Sequence, residues 1–196
     1  ALAALNAAFM ADGGLIILEP KAELELELLF VAAPDICAVA YHPHILITAG
    51  AGSRLALREQ HASLGDTEYW SNSVTAMRVG EAAQVRHYKL QEESGRTWQT
   101  ALTEASLAAG ATYENFIVTT GGRYSRNEIE IVLEGKDAFC ELGGSFLLAG
   151  EQQVDNRLQV DHIAANCTSR QAYKGVLNER SHGVFQGKTI VHRAAQ

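Results

Sequence analysis

Two stretches of this 196-residue sequence gather side chains able to do chemistry. One is His42-Pro43-His44, where two imidazoles flank a proline that belongs at a strand edge or turn. A pair of this kind can bind a metal, but two ligands do not complete a site. The other is residues 153–188, which hold Asp155, Asp161, His162 and Cys167. Asp155 and Asp161 are six positions apart, so on one strand they share a face about 20 Å apart. A glycosidase pair needs roughly 5–10 Å, so two solvated carboxylates are the plainer reading. Continued alternation points His162 inward with Leu158 and Val160, where it needs a partner. Asp155 or Asp161 could serve only if the backbone bends. Cys167 falls near the next corner and reads as a buried structural thiol. His162 and Cys167 are thus weak metal candidates.

Other catalytic and binding signatures fail on single residues. Gly50-Ala51-Gly52 opens a dinucleotide fingerprint, but Leu55 holds the third glycine's place and blocks a close helix–strand approach. Gly143-Gly144-Ser145 is followed by Leu147 where a nucleophile elbow needs glycine. Gly187-Lys188-Thr189 could end a phosphate loop, but the loop's first glycine would fall at His182. No nucleophile–base pair is evident. Asp plus Glu total 23 against 16 Lys plus Arg, a net charge of −7, so no basic footprint for nucleic acid exists. No apolar run approaches the roughly 18 residues of a membrane span. Cys37, Cys140 and Cys167 are odd in number and scattered, which argues against a disulfide framework and suits a reducing cytoplasm. The apolar start lacks a preceding basic residue and makes a poor signal peptide. Asn166-Cys167-Thr168 then reads as a chance glycosylation sequon.

The elements that would position these residues are almost all strands. Leu2, Leu5 and Phe9 sit at helical spacing, and Asp12-Gly13-Gly14 stops that run. Period two follows. Leu24, Leu26, Leu28 and Phe30 alternate with Glu25, Glu27 and Leu29, and Ile129, Ile131 and Leu133 alternate with Glu128, Glu130 and Val132. Leu55 and Leu57, then Leu158 and Val160, repeat the pattern. Gly52, Gly80, Gly110 and Gly135 each precede a new strand at spacings of 28, 30 and 25. A repeat of this size predicts a solenoid of seven or eight coils at about 25 residues each. A β-sandwich is the competitor, but its hairpin turns are missing: Asn-Gly is absent and Asp-Gly occurs once, at the helix stop. The polar stretch 61–73, with Tyr69 and Trp70 embedded, reads as a loop between coils whose aromatics cap the core.

Residues 153–188 also resemble the SufD component of the SufBCD iron–sulfur cluster assembly complex. The pattern VDxxxxVDHxxxxCxSRxxYKGxL, followed by Gly-Val-Phe-x-Gly-Lys, is met by Val154, Asp155, Val160, Asp161, His162, Cys167, Ser169, Arg170, Tyr173, Lys174, Gly175, Leu177, Gly183, Val184, Phe185, Gly187 and Lys188. Leu5-Asn6-Ala7-Ala8-Phe9, Tyr69-Trp70-Ser71-Asn72 and the run from Arg126-Asn127-Glu128 to Gly135 resemble the family elsewhere. Gln153, Arg157 and Ala165-Asn166 stand where many members carry histidines, which weakens a metal site around His162 and Cys167.

The resemblance implies an all-β, right-handed parallel β-helix over 14–196, preceded by the end of a helical segment over 1–13. It implies that the family's C-terminal helical domain, which docks a SufC-type ATPase, and its cluster-site residues lie outside this sequence, which then reads as a fragment. It also implies a non-catalytic cytoplasmic scaffold that pairs with a SufB-like subunit or forms a homodimer, binding no cofactor itself while the whole complex assembles the cluster. Asp155, Asp161, His162, Cys167, Ser169, Arg170, Tyr173, Lys174 and Gly175 are then structural. The alternative is a β-helix enzyme acting on polysaccharide, which predicts a carboxylate cluster on one outer face.

Overall fold

Side chains alternate between the two faces of a strand, so a strand with one apolar row must lay that row against something. In the computed structural model, which describes residues 2–33 and 39–195, every such row faces one shared interior. Cys37 lies outside the described residues. A helix α1 (Leu2–Phe9) precedes β1 (Gly13–Leu18), β2 (Glu23–Ala32), β3 (Val39–Tyr41), β4 (His44–Ala49), β5 (Arg54–Ser63), β6 (Tyr69–Val79) and β7 (Gln84–Glu92). Then follow β8 (Trp98–Leu107), β9 (Thr112–Thr119), β10 (Tyr124–Leu133), β11 (Phe139–Leu148), β12 (Gln153–His162), β13 (Thr168–Leu177), β14 (His182–Val191) and a short turn of 3-10 helix, Arg193–Ala195.

Every strand pairing is parallel. One sheet, here sheet A, runs β1-β4-β6-β8-β10-β12-β14, with β3 also beside β6. Sheet B runs β13-β11-β9-β7-β5-β2. One strand of each makes a coil, and the coils stack as a right-handed parallel β-solenoid. The predicted coil length of about 25 residues is too short. Gly13 stands beside His44, 31 residues on, and Trp98 beside Tyr124, 26 residues on. The four glycines used for that estimate occupy two different places in the turn, so their spacing mixed two registers.

The corner leading from sheet A to sheet B repeats residue by residue. Lys21, Gly52, Ala82, Gly110, Asp137 and Asn166 all have positive φ. From each of the first five, the backbone N–H donates to a carbonyl one coil on, as in Gly52 N to Glu81 O at 2.8 Å and Gly110 N to Lys136 O at 2.9 Å. The next residue is always small: Ala22, Ser53, Ala83, Ala111, Ala138 and Cys167. Cys167 is therefore the latest member of a column of small corner residues.

The interior divides lengthwise. Beside this corner it is apolar: Val79, Leu107 and Leu133 from sheet A meet Leu55, Leu57, Val85 and Leu142 from sheet B, all at 2% exposure or less. Fully burying such side chains stabilises by about 1.5–3 kcal/mol each. Beside the opposite corner the inward rows turn polar, with Ser71, Ser73, Gln99 and Ser125 facing Glu59, His61, Lys89 and Gln91, all buried. This corrects the reading of 61–73 as a loop. His61 lies within β5, which runs to Ser63, and Tyr69 begins β6, so only residues 64–68 leave the sheets. Tyr69 is buried, while Trp70 faces outward and donates to Thr100 Oγ1 at 3.0 Å.

Rows lose cover at the ends of the stack. Leu24 on β2 is 38% exposed, whereas its register partner Leu55, covered on both sides, is 2% exposed. Helix α1 is held through Asn6, which is fully buried and donates to Asn72 O at 2.7 Å and Pro43 O at 3.0 Å. Close stacking leaves no room for a side chain at Gly135, whose added Cβ would lie 2.0 Å from Ala109 N, whereas nothing lies within 4 Å of one at Gly95. Gly135→Ala is therefore expected to destabilise by about 2–3 kcal/mol in urea unfolding, and Gly95→Ala to leave stability unchanged.

Candidate functional site

The residues that the sequence singled out are spread over three places. His42 and His44 serve the helix contact. His44 Nδ1 lies 2.9 Å from Asn6 Oδ1, and His42 Nδ1 lies 3.2 Å from Asn72 Nδ2 while its ring packs between Phe9 and Trp70. Asp155 points outward from β12 between two guanidinium groups, 3.0 Å from Arg157 Nε and 3.3 Å from Arg126 Nη1. Asp161 accepts from Gln159 at 2.8 Å and lies 3.3 Å from His192 Nε2.

His162 does face inward, but its partner is neither aspartate. Its Nε2 is 3.0 Å from Ser169 Oγ on the neighbouring β13. This is a serine–histidine contact that the linear sequence did not reveal. Among the described residues no carboxylate orients the imidazole, so the third group of a hydrolytic triad is missing. Cys167 Sγ contacts Gly135 O at 3.2 Å. Cys140 is fully buried, and burial, with Cys167 nearby, pushes its thiol up to about 12. Among the described residues no group of three or more His, Cys, Asp or Glu is placed to hold a metal ion.

The rest of the motif packs. Gly144 leaves space for the Tyr173 ring, since a Cβ there would lie 2.3 Å from it, and Gly175 does the same for Phe146 at 2.0 Å. Tyr173 also packs on Phe185, with ring centroids 4.9 Å apart. Arg170 lies over the Phe139 ring at 5.9 Å, and Lys174 points to solvent.

The outer face of sheet A carries an acidic row. Glu104 and Glu130 are register neighbours, and burial together with Glu104, Glu128 and Asp161 raises the Glu130 carboxyl. Polysaccharide cleavage needs two carboxylates that bracket one bond. Glu104 and Glu130 stand side by side on the outer face of adjacent parallel strands, in a groove that Arg78, Ser106 and Val132 also line.

The densest polar cluster was not anticipated at all. Glu59, buried at 1% exposure, accepts from four side chains. His61 Nε2 (2.7 Å) and Lys89 Nζ (2.9 Å) reach Oε1, and His87 Nε2 (3.0 Å) and Thr75 Oγ1 (3.2 Å) reach Oε2. Tyr113 donates in turn to His87 Nδ1 at 3.0 Å. Burial alone would raise the Glu59 carboxyl. Lys89, with hydrogen bonds from His61 and His87, outweighs it and holds the group well below the usual carboxylate range. The imidazole nitrogens touch the carboxylate directly, so no cation fits between them. A second carboxylate, Glu93, is 3% exposed and accepts from Tyr69 at 3.0 Å and Gln91 at 3.0 Å. Burial, followed by the charge of Glu93, pushes the Tyr69 hydroxyl up to about 12. The signal in the sequence was polar residues at strand period, Glu59-His61 and His87-Lys89-Gln91, continuing runs that begin apolar.

Compared with known proteins, residues 30–196 match the model of the SUF system FeS cluster assembly SufBD core domain. The chain belongs to the SufBD family. It is 25% identical over 202 residues to an iron–sulfur cluster assembly SufBD family protein of Synechocystis, an alignment covering 98% of this chain and 45% of that protein. It is 24% identical over 157 residues to the iron–sulfur cluster assembly protein SufD of Escherichia coli, covering 80% and 37%. It is 28% identical over 159 residues to the chloroplastic protein ABCI7 of Arabidopsis thaliana, covering 79% and 33%. The chain thus spans less than half the length of these SufBD-family and other curated relatives.

The Glu59 cluster makes two predictions. Glu59→Gln leaves Lys89 buried without its counter-charge and should destabilise by about 3–5 kcal/mol, whereas the double variant Glu59→Met with Lys89→Met should recover most of that loss in urea unfolding. Because the folded-state pKa of Glu59 is depressed, its contribution is complete above the ordinary glutamate value of about 4.3 and fades as pH falls toward the folded value. Acid titration of stability below that pH should therefore be shallower in the double variant than in the native chain.

Proposed function

We propose that this chain is the β-helical part of a non-catalytic scaffold subunit of the SUF iron–sulfur cluster assembly machinery, working in the cytoplasm. In this reading it pairs with a SufB-like subunit and acts with a SufC-type ATPase. The iron–sulfur cluster is the cargo of the whole assembly and is not held by these residues.

The observation that carries the reading is how the 153–188 motif is used. Asp155 pairs with Arg126 of the neighbouring coil and with Arg157 of its own strand, and His162 meets Ser169 across a corner of its own coil. The motif's Tyr173 packs over Gly144 of β11, and its Gly175 leaves room for Phe146 of β11. A motif spent on internal order suits a rigid platform better than a reacting centre.

The test is affinity purification of the full-length protein from cells that express it. SufB-like and SufC-type subunits are expected to co-purify in stable amounts. Recovery of the protein with neither of them would overturn the scaffold reading.

A further inference from the structure

The polar half of the solenoid contains more hydrogen-bonding capacity than its side chains use. Ser71 and Gln99 are register neighbours in one inward row of sheet A, and His61 and Gln91 are register neighbours in one inward row of sheet B. All four residues have 0% exposure. Among the described residues, no partner reaches Ser71 Oγ, Gln99 Nε2, Gln99 Oε1, His61 Nδ1 or Gln91 Oε1.

These orphans are not scattered. Both rows lie beside the corner that leads from sheet B back to sheet A, and both adjoin a buried carboxylate. Glu59 bonds His61 Nε2, and Glu93 bonds Gln91 Nε2. Rotating an amide does not relieve the conflict, because both ends of Gln99 are unpartnered. Short side chains, Ser71, Ser73, Ala101 and Ser125, line the sheet A wall opposite the longer Glu59, Lys89 and Gln91. Glu93 has no cationic partner among the described ion pairs, so it too gains from dipoles aimed at it.

Buried polar atoms are nearly always paired, with ordered water where protein groups do not reach. An apolar occupant would leave all five atoms unpaired, and an anion would sit against two carboxylates. We infer that this half of the interior binds a cluster of ordered water molecules that bridges Ser71 and Gln99 across to Gln91 and His61. The water would complete the hydrogen bonding of the polar rows and join the Glu59 and Glu93 networks into one.

Oxygen-17 relaxation dispersion of water, recorded on the full chain, tests this together with the melting temperature of Gln99→Met. Long-lived internal water is expected in the native chain, with a smaller amplitude in the variant. Because the variant strands the remaining water partners, its melting temperature should fall by about 4 °C. If Gln99 is truly unpaired, methionine removes a burdened polar group and the melting temperature rises instead. A rise, an unchanged dispersion amplitude in the variant, or no long-lived water in the native chain would each overturn the inference. The dispersion measurement on the native chain keeps the test valid even if Gln99→Met fails to fold.

Discussion

Each coil of this protein depends on the coil beside it. In a parallel stack held in register, every inward residue lies directly against its counterparts one coil before and one coil after. A residue is therefore acceptable only if its row accepts it. Leucine stacks on leucine along Leu107 and Leu133, small residues stack along Ala83, Ala111 and Ala138, and the corner conformation recurs from Lys21 to Asn166. The same rule explains the contact of aromatic rings with glycines in and beside β11. Where one coil places Tyr173 or Phe146 inward, its neighbour must supply Gly144 or Gly175.

The row rule also explains how charge comes to lie inside. Once Glu59 points inward, its neighbours in the row must answer it, and Lys89 stands next to it in register while His87 and His61 flank it. Such a cluster contributes little net stability compared with an apolar core of the same shape, because taking the ions out of water is expensive. Its effect is to select: a shifted register would leave a carboxylate or an ammonium buried alone. The polar half of the interior thus acts as a registration device, and the apolar half carries most of the stabilisation.

This division bears on function. The long motif that ties the chain to the SufBD family lies in β12 to β14, and its residues are engaged with one another and with β10 and β11. The scattered cysteines lead to the same place. Cys140 and Cys167 belong to the core row and the corner column, and neither has the electropositive, exposed setting that makes a thiol reactive.

Several features were legible in the residues alone. Alternation in Ile129-Glu130-Ile131 marked a half-buried strand, the lack of hairpin turns pointed to parallel coils, and Leu2-Leu5-Phe9 marked the short helix. These are local properties, set by side-chain period and turn chemistry, and a sequence displays them directly. The coil length, the strand character of Tyr69–Val79 and the partners of Glu59 and His162 were not legible. Each depends on which residue about 29 positions away becomes the register neighbour, as with Gln153 and His182. Polarity misled at 61–73 because a polar residue announces solvent until another coil is known to face it. The sequence determined that the chain makes strands with one buried row. Only the tertiary stack decided that part of that row is polar, because hydrogen-bond partners for buried groups come from neighbouring coils.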